Sequence, residues 1–102
     1  MVTVELKRRI LKNQFVYELR HLQIDRGSLQ ELLAALAELA VVWRSQEVVE
    51  KDIAQELYGV MTIIRNMLVH FERHETLRSR VAELVVISID VDRLILKCFA
   101  TQ

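Results

Sequence analysis

The scarcity of chain-breaking residues is the feature that most restricts the fold of this chain. The sequence contains no proline and only two glycines, Gly27 and Gly59. Because tight turns between strands depend on such residues, a chain almost without them favours long helices over a sheet. A length of 102 residues is sufficient for one domain and too short for two. The sequence therefore predicts a single all-α domain over residues 1–102.

Apolar residues at helical spacing predict four helices in this domain. Their approximate ranges are 3–24, 29–44, 47–73 and 76–100. The clearest boundary follows the first helix, where Gly27 fits the left-handed conformation that ends many helices, and Ser28 with Glu31 matches a capping box. Ser45 is the expected N-cap of the third helix. Four helices with short connections predict an up-down bundle.

The segment Leu84–Val91 is rich in β-branched residues and could also be a strand. A polar stripe at helical spacing crosses it, however, made of Arg80, Glu83, Asp90, Arg93 and Lys97. A single strand would also leave its backbone groups without partners. We therefore predict a helix here, with apolar residues around most of its circumference.

The apolar content exceeds what one small bundle can bury. Apolar residues form 52% of the chain, although a domain of this length has little interior. The excess lies mainly in the fourth predicted helix, and part of it in the third. The residues concerned are Val85, Val86, Ile89 and Leu96 in the fourth helix and Met61 and Leu68 in the third. A closed two-fold interface would remove this surface from water, so the sequence predicts a homodimer.

The charge pattern gives no general attraction to nucleic acid or to a membrane, because 14 basic and 14 acidic residues give a net charge of zero. The first 26 residues are net basic and residues 27–64 are net acidic, so we expect the first helix to lie against the middle of the chain. Cys98 is the single cysteine and cannot form an intrachain disulfide. Without a recognisable secretion signal or membrane span, we expect a cytoplasmic location with no membrane contact.

One short segment carries a functional pattern. Arg65 and Asn66 are adjacent, and His70 follows the arginine by five residues. This string resembles the signature of the HEPN family, whose members are short helical bundles that commonly dimerise and are in many cases ribonucleases or ribonuclease toxins. The resemblance implies that Arg65 stabilises phosphate charge, that His70 moves the proton of the ribose 2′-hydroxyl, and that Asn66 holds the geometry. Both protomers would contribute to such a site across a dimer cleft.

A metal site is the other chemistry that this segment could support. His70 and His74 lie one helical turn apart, a spacing at which two imidazoles can bind one metal ion. Zinc requires three or four ligands, and the sequence offers no convincing third ligand nearby. We therefore expect neither a metal nor another cofactor.

Two functional hypotheses follow from the sequence. The first is a non-catalytic interaction module that acts as a homodimer, in the manner of an adaptor, a regulator or an antitoxin-like partner, and that can bind another protein. The alternative is a HEPN-like, metal-independent ribonuclease of the toxin type, or its non-catalytic relative, and only this alternative makes RNA a partner. In the enzyme, Arg65 and His70 must face one cleft; in the interaction module they diverge.

Overall fold

A computed structural model of the chain describes residues 1–100, and every regular element in that part is helical. This confirms the prediction of a single all-α domain, and the segment Leu84–Val91 lies within a helix. The α-helices are α1 Val4–Leu11, α2 Phe15–Arg20, α3 Arg26–Arg44, α4 Lys51–Arg73 and α5 Val81–Phe99. A short 3₁₀ turn, Arg78–Arg80, leads into α5.

The predicted first helix is interrupted at residues 12–14, which separate α1 from α2. Asn13 explains the break, because its Oδ1 accepts a hydrogen bond from the Phe15 N–H at 2.9 Å and its Nδ2 donates to the Ser28 carbonyl at 2.9 Å. An asparagine that bonds nearby backbone in this way competes with the helical ladder. Phe15 and Leu19 are fully buried beyond the break, so apolar spacing alone did not reveal it.

The start of α3 differs from the predicted capping box. Asp25 is the N-cap, and its carboxylate accepts hydrogen bonds from the Ser28 N–H at 3.2 Å and from the Ser28 hydroxyl at 3.1 Å. Gly27 lies in the first turn without a positive φ, and the left-handed residue is Leu22, with a φ of 67°. The prediction of Ser28 with Glu31 as the cap was therefore wrong, because the Asp25 carboxylate accepts the hydrogen bond from the Ser28 N–H.

The connection between α3 and α4 is organised by Glu50. Ser45 ends α3, and Glu50 is the N-cap of α4, so the prediction of Ser45 as N-cap was wrong. One carboxylate oxygen of Glu50 accepts from the Trp43 indole N–H at 2.8 Å and the Gln46 amide at 3.0 Å; the other accepts from the Val2 N–H at 3.0 Å. Burial alone would raise the pKa of Glu50, but these hydrogen bonds outweigh it and lower the pKa to about 2.

The arrangement of the helices differs from the up-down bundle that short connections predicted, in which consecutive helices are neighbours. α1 and α2 pack against both α3 and α4, and α5 packs against the other sides of α3 and α4. α3 and α4 therefore lie diagonally across the core, without direct backbone contact. The connection 45–50 crosses the end of the bundle between them. Within residues 1–100, no helix is both long enough and apolar enough to cross a bilayer.

Ion pairs join the basic first helix to the acidic middle of the chain, as the charge pattern predicted. The Lys7 ammonium lies 2.7 Å from the Asp52 carboxylate, and the Arg9 guanidinium lies 2.6 Å from Glu38. Lys7, Asp52 and Glu38 keep roughly half of their side-chain surface exposed, so water screens each pair and its contribution to stability is small. The pairs orient α1 on the bundle more than they stabilise it.

Candidate interaction surface

The outward sides of α4 and α5 form one continuous surface. The Arg65 guanidinium lies 3.7 Å from the Asp92 carboxylate, and the rings of Tyr58 and Phe99 are stacked with centroids 5.6 Å apart. Tyr58 precedes Arg65 by seven residues, and Phe99 follows Asp92 by seven. The two helices therefore run antiparallel and stay in register over two turns.

The solvent side of α5 carries an apolar stripe. Val85, Val86, Ile89 and Leu96 are 39%, 58%, 51% and 63% exposed, respectively. Ile89 follows Val85 by four residues and Val86 by three, and it precedes Leu96 by seven, so these side chains lie on the side of the helix away from the core. We call these four residues the α5 stripe. Their exposure confirms that α5 has more apolar circumference than the core of one chain uses.

α4 extends this apolar surface with residues that the sequence analysis did not single out. Tyr58 and Val69 are large apolar residues that remain exposed on α4. Met61 and Leu68, which we expected to contribute, are only partly exposed and pack against the core instead. The available signal was the series Tyr58, Arg65 and Val69, because steps of seven and four residues keep these side chains on one face.

Charged residues border the stripe on α5, and most of them have partners within the chain. Glu83 accepts hydrogen bonds from Arg80 and Arg26, and Asp92 pairs with Arg65. Burial alone would raise the pKa of Glu83, but the two arginines outweigh it and lower that pKa. The acidic residues of α5 are Glu83, Asp90 and Asp92, and the basic ones are Arg93 and Lys97. The sign of the charge therefore changes along the helix, from acidic at the start to basic at the end.

Arg65, Asn66 and His70 are all exposed residues of α4. Arg65 is directed toward α5 by its ion pair with Asp92, whereas the His70 ring lies 5.7 Å from the ring of His74. Five residues on an ideal helix correspond to a rotation of about 140°, so Arg65 and His70 leave α4 on different sides. One protomer alone does not bring these two side chains to a common site.

The two histidines near the end of α4 are not grouped with further metal ligands. His74 is the C-cap of α4, and its Nδ1 lies 3.1 Å from the Thr76 hydroxyl. Within residues 1–100, no three histidine, cysteine, aspartate or glutamate side chains are arranged so that they could hold a metal ion.

Cys98 is a core residue, and its environment makes it a poor nucleophile. The thiol is buried and donates a hydrogen bond to the Leu36 carbonyl, with the sulfur 3.4 Å from the oxygen. Burial raises the pKa of Cys98 to about 11, so the reactive thiolate is scarce at neutral pH.

Comparisons with known proteins assign no family to this chain. No protein-family model matches the sequence, and no curated protein or solved structure matches it significantly. Function is therefore inferred from the geometry of α4 and α5.

Proposed function

We propose that this protein is a helical interaction module that acts as a homodimer, with the α5 stripe as its contact surface. The observation that carries the proposal is the exposure of four aliphatic side chains along one side of α5. Burial of apolar surface contributes about 25 cal/mol per Å², so covering the stripe stabilises an association. Tyr58 and Val69 widen the same surface on the α4 side.

A second copy is the partner that covers this surface most economically. A two-fold axis passing beside α5 buries the stripe of both copies in one contact, because the same patch serves on each side. If a different protein covered the stripe, the chain would not need to self-associate. The dimer can still bind a different protein through its other faces.

The ribonuclease hypothesis is less well supported by the same geometry. Arg65 and His70 diverge on α4, and Arg65 is already paired with Asp92. A shared phosphate site would therefore need one residue from each of two copies. Metal-independent cleavage of RNA stays a prediction of that alternative, and an activity assay decides it.

An arginine placed in the middle of the α5 stripe tests the proposed surface. Ile89→Arg would bury an unpaired charge between the two copies, and we expect it to weaken dimerisation by at least about tenfold. Val41→Arg is the matched control, because Val41 is an exposed aliphatic residue of α3, with 62% exposure against 51% for Ile89. Size exclusion with light scattering should show Val41→Arg at twice the 12.0 kDa chain mass and Ile89→Arg near that mass. Equal dimerisation of both variants would show that the α5 stripe is not the contact surface.

A further inference from the structure

Beside the α5 stripe lies one charged pair, Asp90 and Arg93, whose two side chains are only loosely in contact within one protomer. Asp90 and Arg93 lie one turn apart beside the stripe, with 46% and 64% of their side-chain surfaces exposed. Their closest nitrogen and oxygen are 3.8 Å apart, which is too long for a hydrogen bond. Glu83, by contrast, accepts hydrogen bonds from Arg26 and Arg80. Asp92 lies 3.7 Å from Arg65, a similar separation, but only 28% of its side-chain surface is exposed. Asp90 and Arg93 are therefore available to a partner.

We propose that a second copy of this chain lays its α5 antiparallel across the first, with the two-fold axis at the level of Val91. This inference rests on the proposed function, because it specifies how the two α5 stripes meet. Because the two helices run in opposite directions and cross at Val91, Val86 lies opposite the partner's Leu96, and Ile89 lies opposite the partner's Arg93. The guanidinium of each Arg93 then reaches the partner's Asp90, while its aliphatic stem covers Ile89.

The order of charges along α5 favours this antiparallel arrangement. In antiparallel helices related by a two-fold axis, each flank of one helix meets the same flank of the other in reverse order. Asp90 and Arg93 share a flank and have opposite charges, so reversal brings unlike charges together twice. In a parallel two-fold pair each flank instead meets the opposite flank of the partner, so that arrangement does not bring Asp90 to the partner's Arg93.

Cross-linking between copies tests the direction of the two helices. Val86→Cys and Leu96→Cys are oxidised separately and as an equimolar mixture, with the wild type as the control for Cys98, which is buried. Antiparallel packing predicts the cross-linked dimer mainly in the mixture, because positions 86 and 96 lie opposite each other only between copies. A parallel dimer would cross-link efficiently in the Val86→Cys variant alone, and that result would overturn the arrangement.

Charge reversal tests the contact between Asp90 and the partner's Arg93. In the antiparallel dimer, Asp90→Lys and Arg93→Glu each create two repulsive contacts, and we expect each to weaken self-association by about tenfold at low salt. Mixing the two variants should restore association, because each altered side chain then faces the opposite charge. About half or more of each side chain is exposed within one chain, so circular dichroism should show unchanged folding.

The outcomes separate this inference from the proposed function. A wild type that stays monomeric contradicts both. A wild type that dimerises, but whose dimer is unaffected by either charge reversal, contradicts only the antiparallel contact. A dimer that also resists Ile89→Arg contradicts the α5 stripe as the interface.

Discussion

Glu50→Gln removes the charge of the carboxylate that joins the N-terminal segment to the connection between α3 and α4. The carboxylate accepts three hydrogen bonds, from Val2, Trp43 and Gln46, and the glutamine amide cannot replace it as an acceptor at both oxygens. A carboxyl whose pKa falls from 4.5 to about 2 on folding contributes at most roughly 3 kcal/mol at neutral pH. Because the side chain is only partly buried, solvent screening reduces this, and we expect Glu50→Gln to cost about 2 kcal/mol.

The pH dependence of this difference identifies its origin. The pKa of Glu50 is lower in the folded chain than in the unfolded chain, so its contribution is fully present above about pH 4.5 and is lost as the pH falls toward 2. Urea denaturation can be followed by the fluorescence of Trp43, the single tryptophan, which is 3% exposed, with circular dichroism as a second probe. Glu47→Gln is the control, because Glu47 is an exposed residue of the same connection. If Glu50→Gln is as stable as Glu47→Gln, or if the difference does not change with pH, the assigned role of the carboxylate is wrong.

Three further substitutions or treatments have defined outcomes. Asp25→Ala should lower the free energy of unfolding by about 1 kcal/mol through loss of the N-cap, and Ser28→Ala should cost clearly less; equal effects in urea denaturation would contradict the observed cap. The Cys98 thiol should resist a disulfide reagent in the native protein and react promptly in urea, because it is buried with a pKa of about 11; rapid labelling of the native chain would contradict this. Single-stranded RNA should remain intact with the wild type, whereas cleavage that both Arg65→Ala and His70→Ala abolish would instead support the ribonuclease alternative.

The sequence was sufficient for the fold class because its strongest signals concern backbone freedom and apolar spacing. The absence of proline and the long periodic segments predicted helices over most of the chain, including α5 in spite of its β-branched residues. The complementary charges of the first helix and the middle of the chain were also read correctly, as the pair of Lys7 and Asp52 shows.

Details that depend on competing hydrogen bonds could not be read from one sequence. Ser28 with Glu31 and Asp25 with Ser28 are both plausible caps from spacing alone, and the structure contains the second. The break at Asn13 combines a local hydrogen bond to the Phe15 N–H with side-chain packing and bonding across to the Ser28 carbonyl, fifteen residues away. Such contacts exist only once α1 lies against α3, so local pattern cannot reveal them.

The candidate surface was partly predictable for a similar reason. The excess apolar circumference of α5 is a property of one helix and was visible as Val85, Ile89 and Leu96. Which side of α4 borders that stripe depends on the packing of two helices, so the sequence indicated Met61 and Leu68, and the structure exposes Tyr58 and Val69 instead. The diagonal placement of α3 and α4 likewise follows from packing of the whole bundle.

Sedimentation equilibrium of the unmodified chain tests the central claim, that the α5 stripe binds a second copy, most directly. Over a concentration series from about 1 to 100 μM, the range in which a modest apolar interface associates, the mass should rise from 12.0 kDa toward twice that value. The same series on Ile89→Arg should remain near 12.0 kDa. A wild type that sediments as a monomer at the highest concentration would contradict the proposed dimer.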